Sequence, residues 1–229
     1  VVKETGAGAV FWNRRYGGAE REIDAGLKET LRGDDVTVAS FAANLLYEPW
    51  TVRTGAGTPY GVYSPFRRAV ERMPAPRAPL PEARKIPGPT TAPASDDLVA
   101  WKLLPTKPDW AGGLRDTWEP GEPAALARLS EFLDDDLGDY AFSRDALSGE
   151  ATSNLSPRLR WGEISPYQVW HATVEHRGSG KHAESATGFL SELIWREFAW
   201  HVLFHSPDLA TKNWRQQFDA FPWPALNHA

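Results

Sequence analysis

Seven prolines fall in one short stretch, at Pro74, Pro76, Pro79, Pro81, Pro87, Pro89 and Pro93. Proline fixes φ and lacks an amide hydrogen, so neither a regular helix nor a central strand runs through such a segment. The stretch reads as a linker, partly extended. Leu103-Leu104-Pro105, Pro108-Asp109-Trp110 and Trp118-x-Pro120-Gly121-Glu122 continue it. Connections this long are uncommon inside one compact domain. The expected division is residues 1–73, a linker over 74–120, and residues 121–229.

The first part has the pattern of an α/β unit. Ala9-Val10-Phe11-Trp12 and Asp35 to Phe41 are short apolar or β-branched runs that read as buried strands. Between them Ile23, Leu27 and Leu31 recur at helical spacing. Two strands and one helix do not cover both faces of a parallel sheet. The segment therefore reads as the second half of a larger α/β domain, and the chain opens on Val1. Farther on, Ser64 and Pro65 are placed to cap and open a helix.

After the linker the pattern becomes helical. Ala125, Leu126, Leu129, Phe132 and Leu133 recur at threes and fours, and Tyr140 and Arg144 lie four apart. Ser156-Pro157 and Ser165-Pro166 each offer an N-cap followed by a proline suited to a first helical turn. Hydroxyls and free amides ahead of a helix suit an anion such as phosphate, although the same device is common as a plain cap. Within Gly188 to Phe198, GFLSELIWREF, a helix places Phe189, Glu192 and Arg196 on one side with Trp195 beside them. Leu190, Ile194 and Phe198 fall on another, core-like face. A flat ring with hydrogen-bonding charges suits a planar heterocycle, a nucleobase or a flavin. The same spacing also describes an ordinary i,i+4 Glu–Arg pair.

Composition narrows the classes. There is no cysteine, hence no disulfide, thiol nucleophile or Cys-based zinc site. No apolar run approaches the roughly 20 residues of a membrane span, and no signal peptide is evident. A cytoplasmic location is expected. The formal net charge is -5, unlike the basic footprint of most nucleic-acid binders. A local basic groove is still available from Arg158, Arg160, Arg177 and Lys181. No nucleophile–base–orienter set stands out, and His171, His201 and His205 lack ligand partners at metal-binding spacing. Cofactor-driven chemistry fits such a chain.

Several stretches together resemble the DNA photolyase/cryptochrome family. They are Trp12-Asn13-x-x-Tyr16, Pro59-Tyr60-Gly61-Val62-Tyr63-Ser64-Pro65-Phe66, Thr152-Ser153-Asn154-Leu155-Ser156, Gly188 to Phe198, and Phe221-Pro222-Trp223. The Glu-Leu-Ile-Trp-Arg-Glu-Phe form looks most like class I photolyases that repair cyclobutane pyrimidine dimers. The resemblance implies α/β plus all-α architecture: the C-terminal half of a Rossmann-like antenna domain, a long linker, then the first part of a helical FAD-binding domain. It implies an internal stretch of a longer protein, one that binds flavin poorly alone and is inactive.

By that resemblance, Tyr140, Thr152, Ser153, Asn154, Leu155 and Ser156 help hold FAD, with the hydroxyl run at its phosphates. Phe189 stands where some members have Trp. Arg144 contacts DNA. Glu192 hydrogen-bonds the bases of the dimer, and Trp195 packs against them. Arg196 touches flavin or DNA. Trp223 is the outermost of three tryptophans relaying an electron to the flavin. An antenna chromophore of folate or deazaflavin type is possible in the family. Folate-binding members carry Asn-Glu where this chain has Ala19-Glu20, so Glu20 is better read as a first-turn helix charge. The implied activity is light-driven dimer repair by a monomer acting on damaged DNA, with a cryptochrome-type blue-light receptor as the alternative. Flipping a damaged base costs a few kcal/mol, which a stack on Trp195 worth about 1–3 kcal/mol would offset.

Overall fold

The computed structural model describes residues 1–88, 93–146, 148 and 151–222. A single turn, α1 (Val2–Thr5), precedes β1 (Ala9–Asn13), α2 (Gly18–Gly33) and β2 (Thr37–Phe41). The strands pair in parallel, with Ala9 opposite Thr37 and Asn13 opposite Phe41. That is the expected strand–helix–strand unit, but its strands are not buried. Phe11 and Phe41 are 59% and 55% exposed and touch each other edge to face.

Helix α2 is also turned by one position from the expected stripe. Ile23 and Leu27 face outward. Asp24 and Lys28 face the sheet instead, where Trp12 Nε1 donates to Asp24 Oδ2 at 3.1 Å and Lys28 Nζ donates to Ser40 Oγ at 2.7 Å. Polar partners on the strands thus override the apolar period. Glu20 acts as the helix-start charge, its Oε2 accepting the Gly17 amide at 3.2 Å.

After β2 the chain runs irregularly to α3 (Tyr63–Val70). Here Val62 is the cap residue and Ser64 already lies inside the helix, so the expected Ser64 cap is not formed. Between α3 and Asp97 the described residues contain no regular element. A 3₁₀ turn at Leu98–Trp101 and the short α4 (Gly112–Thr117) are the ordered pieces that follow. The start of the proline stretch is nevertheless anchored. Tyr47 Oη donates to the Pro74 carbonyl at 3.0 Å, and the Arg77 guanidinium lies 4.0 Å from the Tyr167 ring centre.

Helix α5 (Glu122–Glu131) continues through a π turn at Phe132–Asp136 and a 3₁₀ turn at Leu137–Asp139 into α6 (Tyr140–Ser143). Ala125, Leu129, Phe132 and Leu133 are buried as their period requires, while Leu126 is exposed. Then come α7 (Ser156–Trp161), α8 (Pro166–Glu175) and α9 (Gly180–His205). Ser165 caps α8 as expected: its Oγ accepts the Gln168 amide at 3.2 Å, and Gln168 Oε1 accepts the Ser165 amide at 2.8 Å. Ser156 is the first helical residue of α7, one position inside the expected cap.

The 26 residues of α9 make a rod of about 39 Å at 1.5 Å per residue, and the core is arranged along it. Its first half, with Ala186, Phe189 and Leu193, packs against α5, α6, α8 and Leu46. Its second half, with Ile194, Phe198 and Val202, packs against Val52 and against Phe66 and Val70 of α3. The fold is therefore mostly helical with one small parallel sheet. Among the described residues no helix is long and apolar enough to cross a membrane.

Candidate FAD and DNA site

Five separate segments meet in a cleft of about 450 Å³, one of them contributing Trp118 from just past α4. Tyr140 comes from α6, the run Thr152 to Ser156 precedes and opens α7, Val169 comes from α8, and Phe189, Glu192, Leu193 and Arg196 come from α9. The volume lies in the ordinary range for a small-molecule site. Nine residues named from the sequence share this wall: Tyr140, Thr152, Ser153, Asn154, Leu155, Ser156, Phe189, Glu192 and Arg196.

The floor is aromatic. Phe189 packs 4.7 Å from Phe132 and 5.4 Å from Tyr140, and Tyr140 meets Phe132 edge on. Burial raises the Tyr140 hydroxyl pKa, opposed by the Arg144 charge nearby. The hydroxyl run lines the same cleft. Asn154 sits at φ 55°, a left-handed conformation that the short Asn side chain tolerates. Arg128 holds the run from behind. Its Nε donates to the Ser153 carbonyl at 3.1 Å and its Nη2 to the Thr152 carbonyl at 3.0 Å, while Asp136 takes a further bond from Nη2. The periodicity of α5 gave no sign of this role for Arg128.

At the mouth of the cleft Glu192 does not pair with Arg196. Its Oε1 accepts from Arg144 Nη1 at 2.5 Å, across 48 positions of sequence. The local i,i+4 pair is thus replaced by a contact brought from α6's end. Arg196 turns the other way, donating to the Asn44 carbonyl at 2.7 Å and lying 3.3 Å from Glu197 Oε1. Burial lowers its pKa, opposed by the Glu197 charge. It also lines a neighbouring cleft of about 410 Å³ with Arg15, Tyr16, Glu20 and Trp200, so one guanidinium lies between two cavities.

Trp195 does not line the main cleft. It is 45% exposed and lies flat on Tyr63, with ring centres 3.5 Å apart and planes within 11°. Trp223 lies outside the described residues. Of the basic residues considered for a groove, Arg158 is buried and bound to the Glu119 carbonyl and Glu163, each at 3.0 Å. It is a scaffold residue. Lys181 pairs with Asp139 at 2.6 Å, and Arg160 lines the second cleft.

Sequence reasoning also passed over Glu197. It is 2% exposed, and its Oε2 accepts the amides of Leu46 and Tyr47 at 2.9 and 3.2 Å. Burial pushes its pKa up to about 8, against the pull of Arg196 and the two amides. A glutamate one turn and a half beyond Glu192 looks like a solvated charge from spacing alone, because its partners lie about 150 positions away.

Residues 1–85 match the DNA photolyase family, and residues 189–229 match the FAD binding domain of DNA photolyase. The chain belongs to the DNA photolyase/cryptochrome family. A deoxyribodipyrimidine photo-lyase of Agrobacterium fabrum is 48% identical over 97% of this chain and 46% of its own length. Cryptochrome-1 of Arabidopsis thaliana is 31% identical over 97% of this chain and 34% of its own length. Among solved structures, a bacterial class III photolyase from Agrobacterium tumefaciens superposes with a TM-score of 0.92 at 46% identity, covering 98% of this chain and 46% of that one. The chain thus spans between a third and a half of the length of these relatives. The expected class I likeness is not what this comparison favours, since the solved relative is a class III photolyase.

The cleft suits the family's cofactor. Hydroxyls and an amide side chain on one wall match phosphates and ribityl oxygens, and an aromatic and aliphatic floor matches a planar heterocycle.

Proposed function

We propose that this chain forms the antenna-side and first FAD-binding portion of a light-driven photolyase that repairs cyclobutane pyrimidine dimers in DNA. The observation that carries the reading is the convergence of nine sequence-named residues, from α6, the 152–156 run and α9, on one cleft. Thr152, Ser153, Asn154 and Ser156 hold the polar part of FAD, and Tyr140, Phe189 and Leu155 hold its apolar part. When bound, reduced FAD supplies the light-excited electron that opens the cyclobutane ring. The residues present here bind, orient and exclude water. Glu192 offers a carboxylate to the dimer's bases, and Arg144 leaves it for a DNA phosphate. Trp195 offers an exposed indole face for the flipped dimer.

The 46% identical class III structure favours class III over class I. The protein acts as a cytoplasmic monomer, and Trp223 ends the relay of electrons toward the cofactor. Glu20, engaged with the Gly17 amide, leaves the antenna chromophore unassigned between folate and deazaflavin. The receptor alternative makes no use of a carboxylate and an open indole near the cleft mouth. In the complete, FAD-loaded protein, Glu192→Ala loses dimer repair while retaining flavin. Unchanged repair in that variant overturns the role given to Glu192.

A further inference from the structure

We propose that Tyr63 is a positioning residue that turns Trp195 into a rigid, one-sided platform for the flipped dimer. This rests on the photolyase reading above and adds a residue to it. The two ring centres lie 3.5 Å apart and the planes within 11° of parallel, so the Tyr63 ring stacks on one face of the indole. Phe198 closes an edge at 5.8 Å and 74°. Since Trp195 remains 45% exposed, its opposite face is the one open to a ligand.

Tyr63 is itself held. Its hydroxyl lies 2.8 Å from Ser191 Oγ and donates to the Ser191 carbonyl at 2.9 Å. Arg67, one turn along α3, donates from Nη1 to the same Ser191 Oγ at 3.2 Å. Ser191 lies on α9 one turn before Trp195. Helix α3 is therefore tied to α9 beside the indole, and the ring that backs Trp195 is tied by its own hydroxyl. A surface tryptophan normally has free rotamers to lose when a base stacks on it. Here that entropy is already lost in the fold, so more of the stacking energy appears as affinity for an unstacked base. An undamaged duplex presents no such base, and its binding rests on phosphate contacts.

The test is equilibrium binding to two oligonucleotide duplexes, one with a thymine dimer and one undamaged, using the complete FAD-loaded protein. Flavin content and far-ultraviolet circular dichroism are the folding controls. Tyr63→Leu raises Kd for the dimer duplex about tenfold, within the range of one base–aromatic stack, and leaves Kd for the undamaged duplex within about twofold. Tyr63→Trp, which keeps a stacking ring, restores most of the loss. Tyr63→Phe, which keeps the stack and removes the hydroxyl tether to Ser191, gives about a twofold to threefold rise, the low end for one neutral hydrogen bond. In a Trp195→Ala background Tyr63→Leu adds nothing.

Equal weakening on both duplexes, no weakening, or a further loss in the Trp195→Ala background each overturns the proposal. If Trp195→Ala weakens dimer binding and Tyr63→Leu does not, the brace fails and the photolyase reading stands. If Trp195→Ala itself leaves dimer affinity unchanged, both fail.

Discussion

The two halves of α9 use charge in opposite ways. In the first half Glu192 sits at a cleft mouth, partly exposed, paired with Arg144 from another helix. In the second half Glu197 is sealed from water and His201 is 1% exposed. Glu197 fastens α9 to the backbone of Leu46 and Tyr47, and His201 Nε2 accepts the Tyr60 amide at 3.0 Å. The first half exposes polar groups to a ligand, whereas the second uses them to hold a loop. Arg196 stands at the boundary, touching the Asn44 carbonyl behind it and two clefts in front. A helix can thus carry a binding face on one stretch and a buried polar clamp on the next.

The largest expected effect falls on the clamp. Glu197→Ala leaves the Leu46 and Tyr47 amides without their acceptor, and should cost about 2–6 kcal/mol, from about 1–3 kcal/mol for each buried donor left unsatisfied. Chemical denaturation measures it, and a loss below about 1 kcal/mol would put Glu197 in the same class as Glu192 and dissolve the contrast.

The next effect is a pH profile with two opposing slopes. Glu197 is raised from 4.5 to about 8 in the folded protein. Folding then favours the protonated form, so its contribution is full below pH 4.5 and is lost as pH rises to about 8. His201 is lowered from 6.5 to about 4 by burial and by the nearby His205. Its contribution is present above pH 6.5 and is lost as pH falls to about 4. The slopes offset each other between 4.5 and 6.5, and Glu197 alone acts from 6.5 to about 8. Stability should therefore fall over that upper interval. Glu197→Gln should remove the fall, and His201→Leu should remove the acid-side loss. A profile unchanged by Glu197→Gln would contradict the assignment.

The smallest effect on stability belongs to Glu192. Its side chain is 38% exposed and that of Arg144 is 33% exposed, so Glu192→Gln should cost about 0–1 kcal/mol. Its effect should appear in discrimination between dimer-bearing and undamaged DNA instead. A stability loss near that of Glu197→Ala would show that Glu192 belongs to the scaffold.

These contrasts also mark what the sequence makes legible. Local spacing places Phe189, Glu192 and Arg196 on one face, and the structure brings all three to one cleft. The Ser165 cap and the buried positions of α5 follow from the same short-range physics. Long-range partners do not. Arg144 reaching Glu192, Tyr63 lying on Trp195 and the Leu46 amide bonding Glu197 join residues 48, 132 and 151 positions apart. Periodicity describes a helix face but not the segment that comes to cover it. For the same reason Ile23 and Leu27 read as inward-facing, whereas Asp24 and Lys28 take that place through bonds to Trp12 and Ser40.

The most direct test of the central claim is blue-light repair of a thymine-dimer oligonucleotide by the complete protein with reduced FAD bound. Recovery of thymine absorbance near 260 nm under light, absent in the dark and lost in Glu192→Ala with flavin retained, is the result predicted here. A protein that holds FAD in the cleft and leaves the dimer intact under light would contradict repair and point to the photoreceptor alternative.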